Sequence, residues 1–160
     1  YSSAASDVYK RQLLSKERIE MDYPVKDWED AIRCAGKLLY DTNTVTEQYV
    51  EEMVSSVKKH GPYIVVCKGM ALPHADCSKG AIKEAASLVR LKTPIEFGSV
   101  YNDPVRYVIG MSIKSAESIN QAIYDMMKIF GDENNMNKFD SLPDEQAVLD
   151  MINSFQKQKI

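Results

Sequence analysis

The sequence is poor in the residues on which metal sites and disulfide frameworks depend. It has only two histidines and three cysteines, and the cysteines form no CxxC pair. A zinc site normally takes four nitrogen, sulfur or carboxylate ligands, so we predict no metal site. An odd number of irregularly spaced cysteines indicates reduced thiols, as in a cytoplasmic protein.

An excess of positive charge and a long hydrophobic run are also absent. The net charge is −3, which argues against nucleic acid as a direct partner. The longest apolar run, residues 63–67, has the length of a strand, whereas a membrane-spanning helix needs roughly 20 apolar residues. We therefore expect no direct membrane insertion, and no secretory signal pattern is present.

The composition is that of one globular domain. Apolar residues make up 44% and charged residues 27% of the 160 residues, which is enough for a single core. Residues 1–12 are small and polar without a period, so we predict a disordered leader there and leave its native origin open. The domain then spans residues 13–155, and residues 156–160 form a tail.

Helical signals occur in both halves of the chain. Asp27, with Asp30 three residues later, predicts a helix N-terminus, and a second helix is predicted to end at His60-Gly61-Pro62. The 3.6-residue period returns over 117–130 and over 144–155.

Strand signals lie mostly between these helices. The predicted strands cover residues 19–25, 63–66, 85–91 and 105–113, with a turn-rich segment at 92–98. The order of elements predicts the α/β class, as a single layered domain with a mixed β-sheet flanked by helices.

His74 is the residue best suited to carry chemistry. It follows Pro73 directly, and Ala75 leaves space beside the imidazole ring. Pro73 has a fixed φ, which helps to define where the next side chain points. A neutral imidazole is a nucleophile near neutral pH. The alternative interpretation is an ordinary histidine with a satisfied hydrogen bond.

The segments around His74 resemble a known family. Residues 61–66 and 69–75 are similar to the phosphorylation-site signature of the fructose/mannitol-type IIA domains of the sugar phosphotransferase system. The segments 87–89, 92–97 and 102–105 are most similar to the ascorbate-specific branch. The resemblance covers roughly residues 13–155.

The resemblance implies a mechanism and partners. His74 would accept a phosphoryl group on its tele nitrogen from the phosphocarrier protein HPr. It would then pass the group to a cysteine of a IIB component, which serves the membrane IIC protein during sugar uptake. No metal or cofactor is implied. The same domain also occurs as a phosphorylatable sensory module of transcription regulators, and an interaction domain without phosphorylation is a third hypothesis.

Two positions depart from the family pattern. Relatives commonly have a second histidine where Ser118 stands here; Ser118 either donates a hydrogen bond to the phosphoryl group or only begins a helix. Asp76 follows the phosphoacceptor closely, and its carboxylate would repel a phosphoryl group unless it points away.

His60 is interpreted as a helix-end residue, while the nearby thiols and lysines are interpreted as packing or surface groups: Cys67, Cys77, Lys68, Lys79 and Lys83.

Overall fold

Capping side chains set the ends of the first two helices. The fold is known from a computed structural model, and the structure describes residues 13–157. In α1 (Trp28–Asp41), the Asp27 carboxylate accepts a hydrogen bond from the Asp30 N–H. In α2 (Glu47–His60), the Thr46 hydroxyl accepts from the Tyr49 N–H. Gly61 ends α2 with φ of 82°, a conformation that favours glycine, so both predicted helices are confirmed.

Five strands form one mixed sheet in the order β1-β4-β5-β3-β2. Within it, β1 pairs with β4 and β3 with β5 in parallel, whereas β4–β5 and β2–β3 are antiparallel. The strands are β1 (Leu14–Tyr23), β2 (Val65–Cys67), β3 (Met70–Ala71), β4 (Ala85–Ile95) and β5 (Val105–Ser112).

The two faces of the sheet carry separate hydrophobic clusters. Side chains alternate along the central strands, so that Leu88 and Ile109 belong to one cluster while Val89 and Val108 belong to the other. The second cluster packs under α1 and α2. The first packs under three later helices, α3 (Ala116–Phe130), α4 (Glu133–Ser141) and α5 (Glu145–Lys157). This arrangement confirms the α/β class, with a mixed sheet between helices.

Strand boundaries differ from those predicted. The first strand is Leu14–Tyr23 rather than 19–25, and the strand predicted at 63–66 is Val65–Cys67. The segment predicted as turn-rich contains the end of β4, which continues to Ile95. Residues 92–94 extend beyond the core and are exposed, so they carry no hydrophobic signal of a strand.

Helix α4 was not predicted at all. The exposed acidic pair Asp132–Glu133 begins this helix, and the Asp132 carboxylate accepts a hydrogen bond from the Asn135 N–H. Its one fully buried side chain, Phe139, stacks on Phe130 at a centroid distance of 4.5 Å. Met127, on α3, is an exposed large hydrophobic side chain.

Helix α5 continues to Lys157, two residues into the predicted tail, whereas the predicted leader and residues 158–160 lie outside the described residues. Within residues 13–157, no helix combines the length and the apolar character that crossing a membrane requires.

Candidate phosphoacceptor site

The backbone that carries His74 is fixed from both sides. The N–H of Leu72 donates to the carbonyl of Ile64 at 2.9 Å, and the N–H of Met111 donates to the carbonyl of Pro73 at 3.0 Å. Leu72 and Pro73 are both buried. His74 therefore follows directly on a segment that is anchored to the sheet, while its own side chain remains partly exposed.

The ring of His74 is held in one tautomer. Its Nδ1 lies 2.7 Å from the carbonyl oxygen of Leu72. A carbonyl oxygen only accepts hydrogen bonds, so Nδ1 carries the proton in this contact and Nε2 keeps its lone pair. The arrangement leaves Nε2 as the nucleophilic nitrogen.

A buried tyrosine holds the chain on the other side of His74. The Tyr49 hydroxyl accepts a hydrogen bond from the Ala75 N–H at 3.1 Å and donates to the Met111 carbonyl at 2.6 Å. Burial raises the pKa of Tyr49 to about 12, which keeps the donor proton in place. Tyr49 was not among the candidate site residues identified from the sequence.

His74 lines a cavity of about 390 Å³ at one end of the sheet. Parts of the lining come from α2 and from the start of α3. Another part is formed by the chain around His74. The lining includes Glu52, Ser56 and His60 from α2, and Ser115, Ala116 and Ile119 from the region of α3.

An aromatic ring stands between the two histidines of the chain. The Tyr63 ring lies edge-on to His74 with centroids 5.9 Å apart, and edge-on to His60 with centroids 6.3 Å apart. The Tyr63 hydroxyl donates to Ser56 Oγ at 3.1 Å, which fixes the ring. His60 is the last residue of α2, as predicted, but it also lines the cavity of His74. The helical period indicates a helix end and gives no information about this proximity.

Ser115 and Ser118 occupy different positions at the start of α3. Ser115 precedes α3, and its hydroxyl accepts from the Ser118 N–H at 2.9 Å. Ser118 is thus in the first turn, whereas Ser115 is the capping residue that lines the cavity. A direct role of Ser118 toward a phosphoryl group stays a prediction.

The carboxylate of Asp76 is engaged locally. It accepts from the Ser78 N–H at 2.9 Å and from the Ser78 hydroxyl at 2.6 Å, at the start of a short 3₁₀ helix (Cys77–Lys79). These bonds lower the pKa of Asp76, so the group remains anionic while it lines the cavity.

Not all of the remaining candidates lie beside His74. Lys79 and Cys77 line the cavity, and the Cys77 thiol donates to the Lys114 carbonyl at 3.2 Å. Lys68 lines a different cavity, beside Arg106 and α4. In the described part of the chain, no group of three or more histidine, cysteine or acidic side chains could hold a metal ion.

Comparison with known proteins decides the family. The family described as phosphoenolpyruvate-dependent sugar phosphotransferase system, EIIA 2, matches residues 12–155. The chain belongs to this EIIA family. The resemblance seen in the sequence is confirmed, and the protein is a component of the phosphotransferase system.

Relatives of this EIIA protein include ascorbate-specific components. It is 33% identical over 141 residues to the ascorbate-specific PTS system EIIA component of Shigella boydii, covering 88% of this chain and 92% of the relative. The curated counterpart from Escherichia coli K12 is 32% identical over the same length.

Solved structures share the fold of this EIIA protein. A Streptococcus mutans protein assigned as a PTS IIA has a TM-score of 0.82 at 21% identity, covering 93% of this chain and 94% of that one. The Escherichia coli mannitol IIA, solved in complex with phosphorylated IIB, has a TM-score of 0.78 at 24% identity, covering 88% and 97%. In that complex, an EIIA domain partners with its IIB component.

Proposed function

We propose that His74 accepts a phosphoryl group on Nε2 from an HPr-like phosphocarrier protein and passes it to a cysteine of a IIB component. The observation that carries the proposal is the 2.7 Å contact between Nδ1 and the Leu72 carbonyl, because it leaves Nε2 as the nucleophile. The reaction takes place in the cytoplasm and serves the uptake of ascorbate or a related compound through a membrane IIC protein.

The proposed transfer needs little acid–base chemistry. The bond between phosphorus and the donor's nitrogen breaks as a bond forms between phosphorus and Nε2 of His74. The Leu72 carbonyl stabilises the positive charge that the ring acquires during attack. In the second step, a thiolate sulfur of IIB attacks the same phosphorus, and His74 leaves as the neutral imidazole. Positioning and charge stabilisation are the main requirements of such in-line transfers.

Relatives favour transport over the sensory alternative. The two curated relatives described above are named as ascorbate-specific EIIA components, and the match covers 88% of this chain. A role as the sensory module of a transcription regulator is the alternative, and the test below separates the two by the fate of the phosphoryl group.

The first test is phosphorylation in a reconstituted cascade. The protein is incubated with phosphoenolpyruvate, enzyme I and the phosphocarrier protein, and its intact mass is measured. We expect an acid-labile gain of one phosphoryl group in the parent and none in His74→Ala. Escherichia coli mannitol IIA serves as the positive control for the cascade. The absence of a gain alongside an active control contradicts the proposal.

The second test follows the phosphoryl group onward. Phosphorylated protein is mixed with an ascorbate-type IIB protein and with the same IIB carrying Ser in place of its cysteine. We expect loss of the phosphoryl mass from the EIIA protein only with the cysteine form. Retention of the group with both forms contradicts transfer to IIB and supports the sensory alternative.

A further inference from the structure

The charge balance of the His74 cavity changes if a phosphoryl group is added. Two carboxylates line it, Glu52 and Asp76, and Asp76 stays anionic because Ser78 donates two hydrogen bonds to it. Among the described residues of this lining, Lys79 is the one with a permanent positive charge. The lining therefore already has one negative charge in excess, and a phosphoryl group adds roughly −1.5 to −2 more near pH 7.

His60 is the second imidazole in this cavity. It is exposed at the end of α2, and the Tyr63 ring contacts both it and His74. Histidine changes its charge near neutral pH, so a nearby anion can draw a proton onto it. The other titratable groups lining the cavity are Glu52, Tyr63, His74, Asp76, Cys77 and Lys79.

We propose that His60 takes up a proton when His74 is phosphorylated, and that its imidazolium balances the charge of the phosphoryl group. This inference rests on the proposed function of His74. The proton comes from solvent and binds the unprotonated ring nitrogen of His60, so no electron or leaving group is exchanged. The C-terminal end of α2 also favours a cation at this position, because the carbonyl ends of the helix carry partial negative charge.

The direct test uses the fact that the chain has only two histidines. Histidine-labelled protein is observed by NMR at pH 7.5 before and after incubation with the phosphotransfer cascade, and its mass is measured on the same sample. We expect the ring signals of His60 to move toward the imidazolium pattern in the phosphorylated protein. The His74→Ala variant in the same mixture keeps its His60 signals unchanged.

The functional test compares three variants at positions 59 and 60. The ratio of phosphorylated to unphosphorylated phosphocarrier protein is fixed at pH 6.5. We expect the equilibrium constant for phosphorylation of His60→Gln to be about three- to tenfold lower than that of the parent. The matched control Lys59→Gln removes one charge from the neighbouring residue, which is absent from the cavity lining, and stays within about twofold. His60→Lys restores the parent's occupancy at pH 7.5, where a lysine is fully charged.

The possible outcomes separate the two proposals. A normal phosphoryl mass gain with unmoved His60 signals, or with parent-like occupancy in His60→Gln, overturns the role of His60 and leaves His74 as the phosphoacceptor. No mass gain in the parent overturns the proposed function and this inference with it.

Discussion

At the scale of single residues, one hydroxyl group joins three parts of the site. Tyr49 belongs to α2, yet it contacts the backbone of Ala75 beside the phosphoacceptor and that of Met111 at the end of β5. The side chain is fully buried, so water cannot replace these bonds when they are lost. Tyr49 thus connects the helix that carries His60 to the segment that carries His74.

Replacement of this hydroxyl should destabilise the fold. We expect Tyr49→Phe to lower the free energy of unfolding by about 1–3 kcal/mol, because the half-buried Ala75 N–H and the buried Met111 carbonyl lose their partner. The measurement is urea unfolding at pH 7. Tyr40→Phe, the same chemical change at an exposed position, serves as the control and should remain within about 0.5 kcal/mol of the parent. Equal losses in both variants would contradict the role of Tyr49.

Tyr49 also makes the stability of the fold depend on pH in the alkaline range. Its pKa is raised to about 12, whereas an unfolded tyrosine titrates near about 10. Between these values the unfolded chain releases a proton that the folded protein retains, so stability falls as pH rises through this window. We expect a shallower decline in Tyr49→Phe, measured by urea midpoints from pH 9 to 11. A decline as steep as that of the parent would show that the tyrosine does not contribute.

Much of the site at this scale could not be predicted from the sequence. His74 was found because the Pro73-His74 pair lies within segments that resemble a family. The contacts of the Tyr49 hydroxyl and of the His60 ring could not be predicted. A helical period indicates which residues share a face of the helix, but not which distant segments of the chain they contact. Ser115 had a detectable signal, because a serine three residues before Ser118 is a typical N-cap position.

At the scale of elements, Arg90 connects β4 to the sheet edge and to the end of α4. Its guanidinium donates to the carbonyls of Phe139 and Leu142 at 3.0 and 2.9 Å, and to both carboxylate oxygens of Asp22. The side chain is 5% exposed. The C-terminal end of α4 is therefore held by a side chain from the middle of the sheet.

Truncation of this arginine should cost far more than truncation of a surface arginine. We expect Arg90→Ala to lower the free energy of unfolding by about 2–4 kcal/mol, through unpaired carbonyls and lost packing of the stem. Arg33→Ala, which breaks exposed ion pairs with Glu29 and Glu51, should cost less than about 1 kcal/mol. Chemical denaturation measures both, and similar costs would contradict the anchoring role of Arg90.

Elements with a strong local signal were predictable, and those with a weak one were not. Helices α1 and α2 combine a capping residue with a regular apolar stripe, so their positions were found from the sequence. Helix α4 buries one side chain fully, and the end of β4 is exposed, so neither shows a hydrophobic period. Their structure depends on tertiary contacts such as those of Arg90.

At the scale of the whole molecule, the two hydrophobic clusters share one sheet. Alternate residues of β4 and β5 point into opposite clusters, so a change in one layer is transmitted through the strands to the other. The single tryptophan, Trp28, packs against the cluster under α1 and α2. It can therefore report on events in the opposite layer only if the layers unfold together.

Cooperative unfolding can be tested with a substitution in the far layer. We expect Phe139→Ala, on the α4 side, to lower the free energy of unfolding by about 3–5 kcal/mol. The Trp28 fluorescence midpoint should move together with the far-UV circular dichroism midpoint, because small domains unfold as one unit. Val100→Ala, at a surface position, should move neither. An unchanged Trp28 transition in Phe139→Ala would show that the layers unfold independently.

The class of the fold was predictable at this scale, but the sheet order was not. The succession of helical and strand periods indicates layers around a mixed sheet. The order β1-β4-β5-β3-β2 depends on pairing between distant segments, such as β1 with β4, and local patterns do not encode such partners. The two-residue strand β3 shows only a short apolar signal before Pro73, and its pairing with β5 could not be predicted from that signal.

The contact between Nδ1 of His74 and the Leu72 carbonyl has a kinetic consequence. Because Nδ1 is engaged, Nε2 is the one ring nitrogen left to take the phosphoryl group from the donor and to give it to the acceptor. Under the proposed function, the donor must depart before the acceptor can approach, so the two partners compete for one position and no ternary complex lies on the reaction path. Steady-state kinetics are then of the ping-pong type, and an excess of either partner in its spent form slows the flux by occupying the shared site.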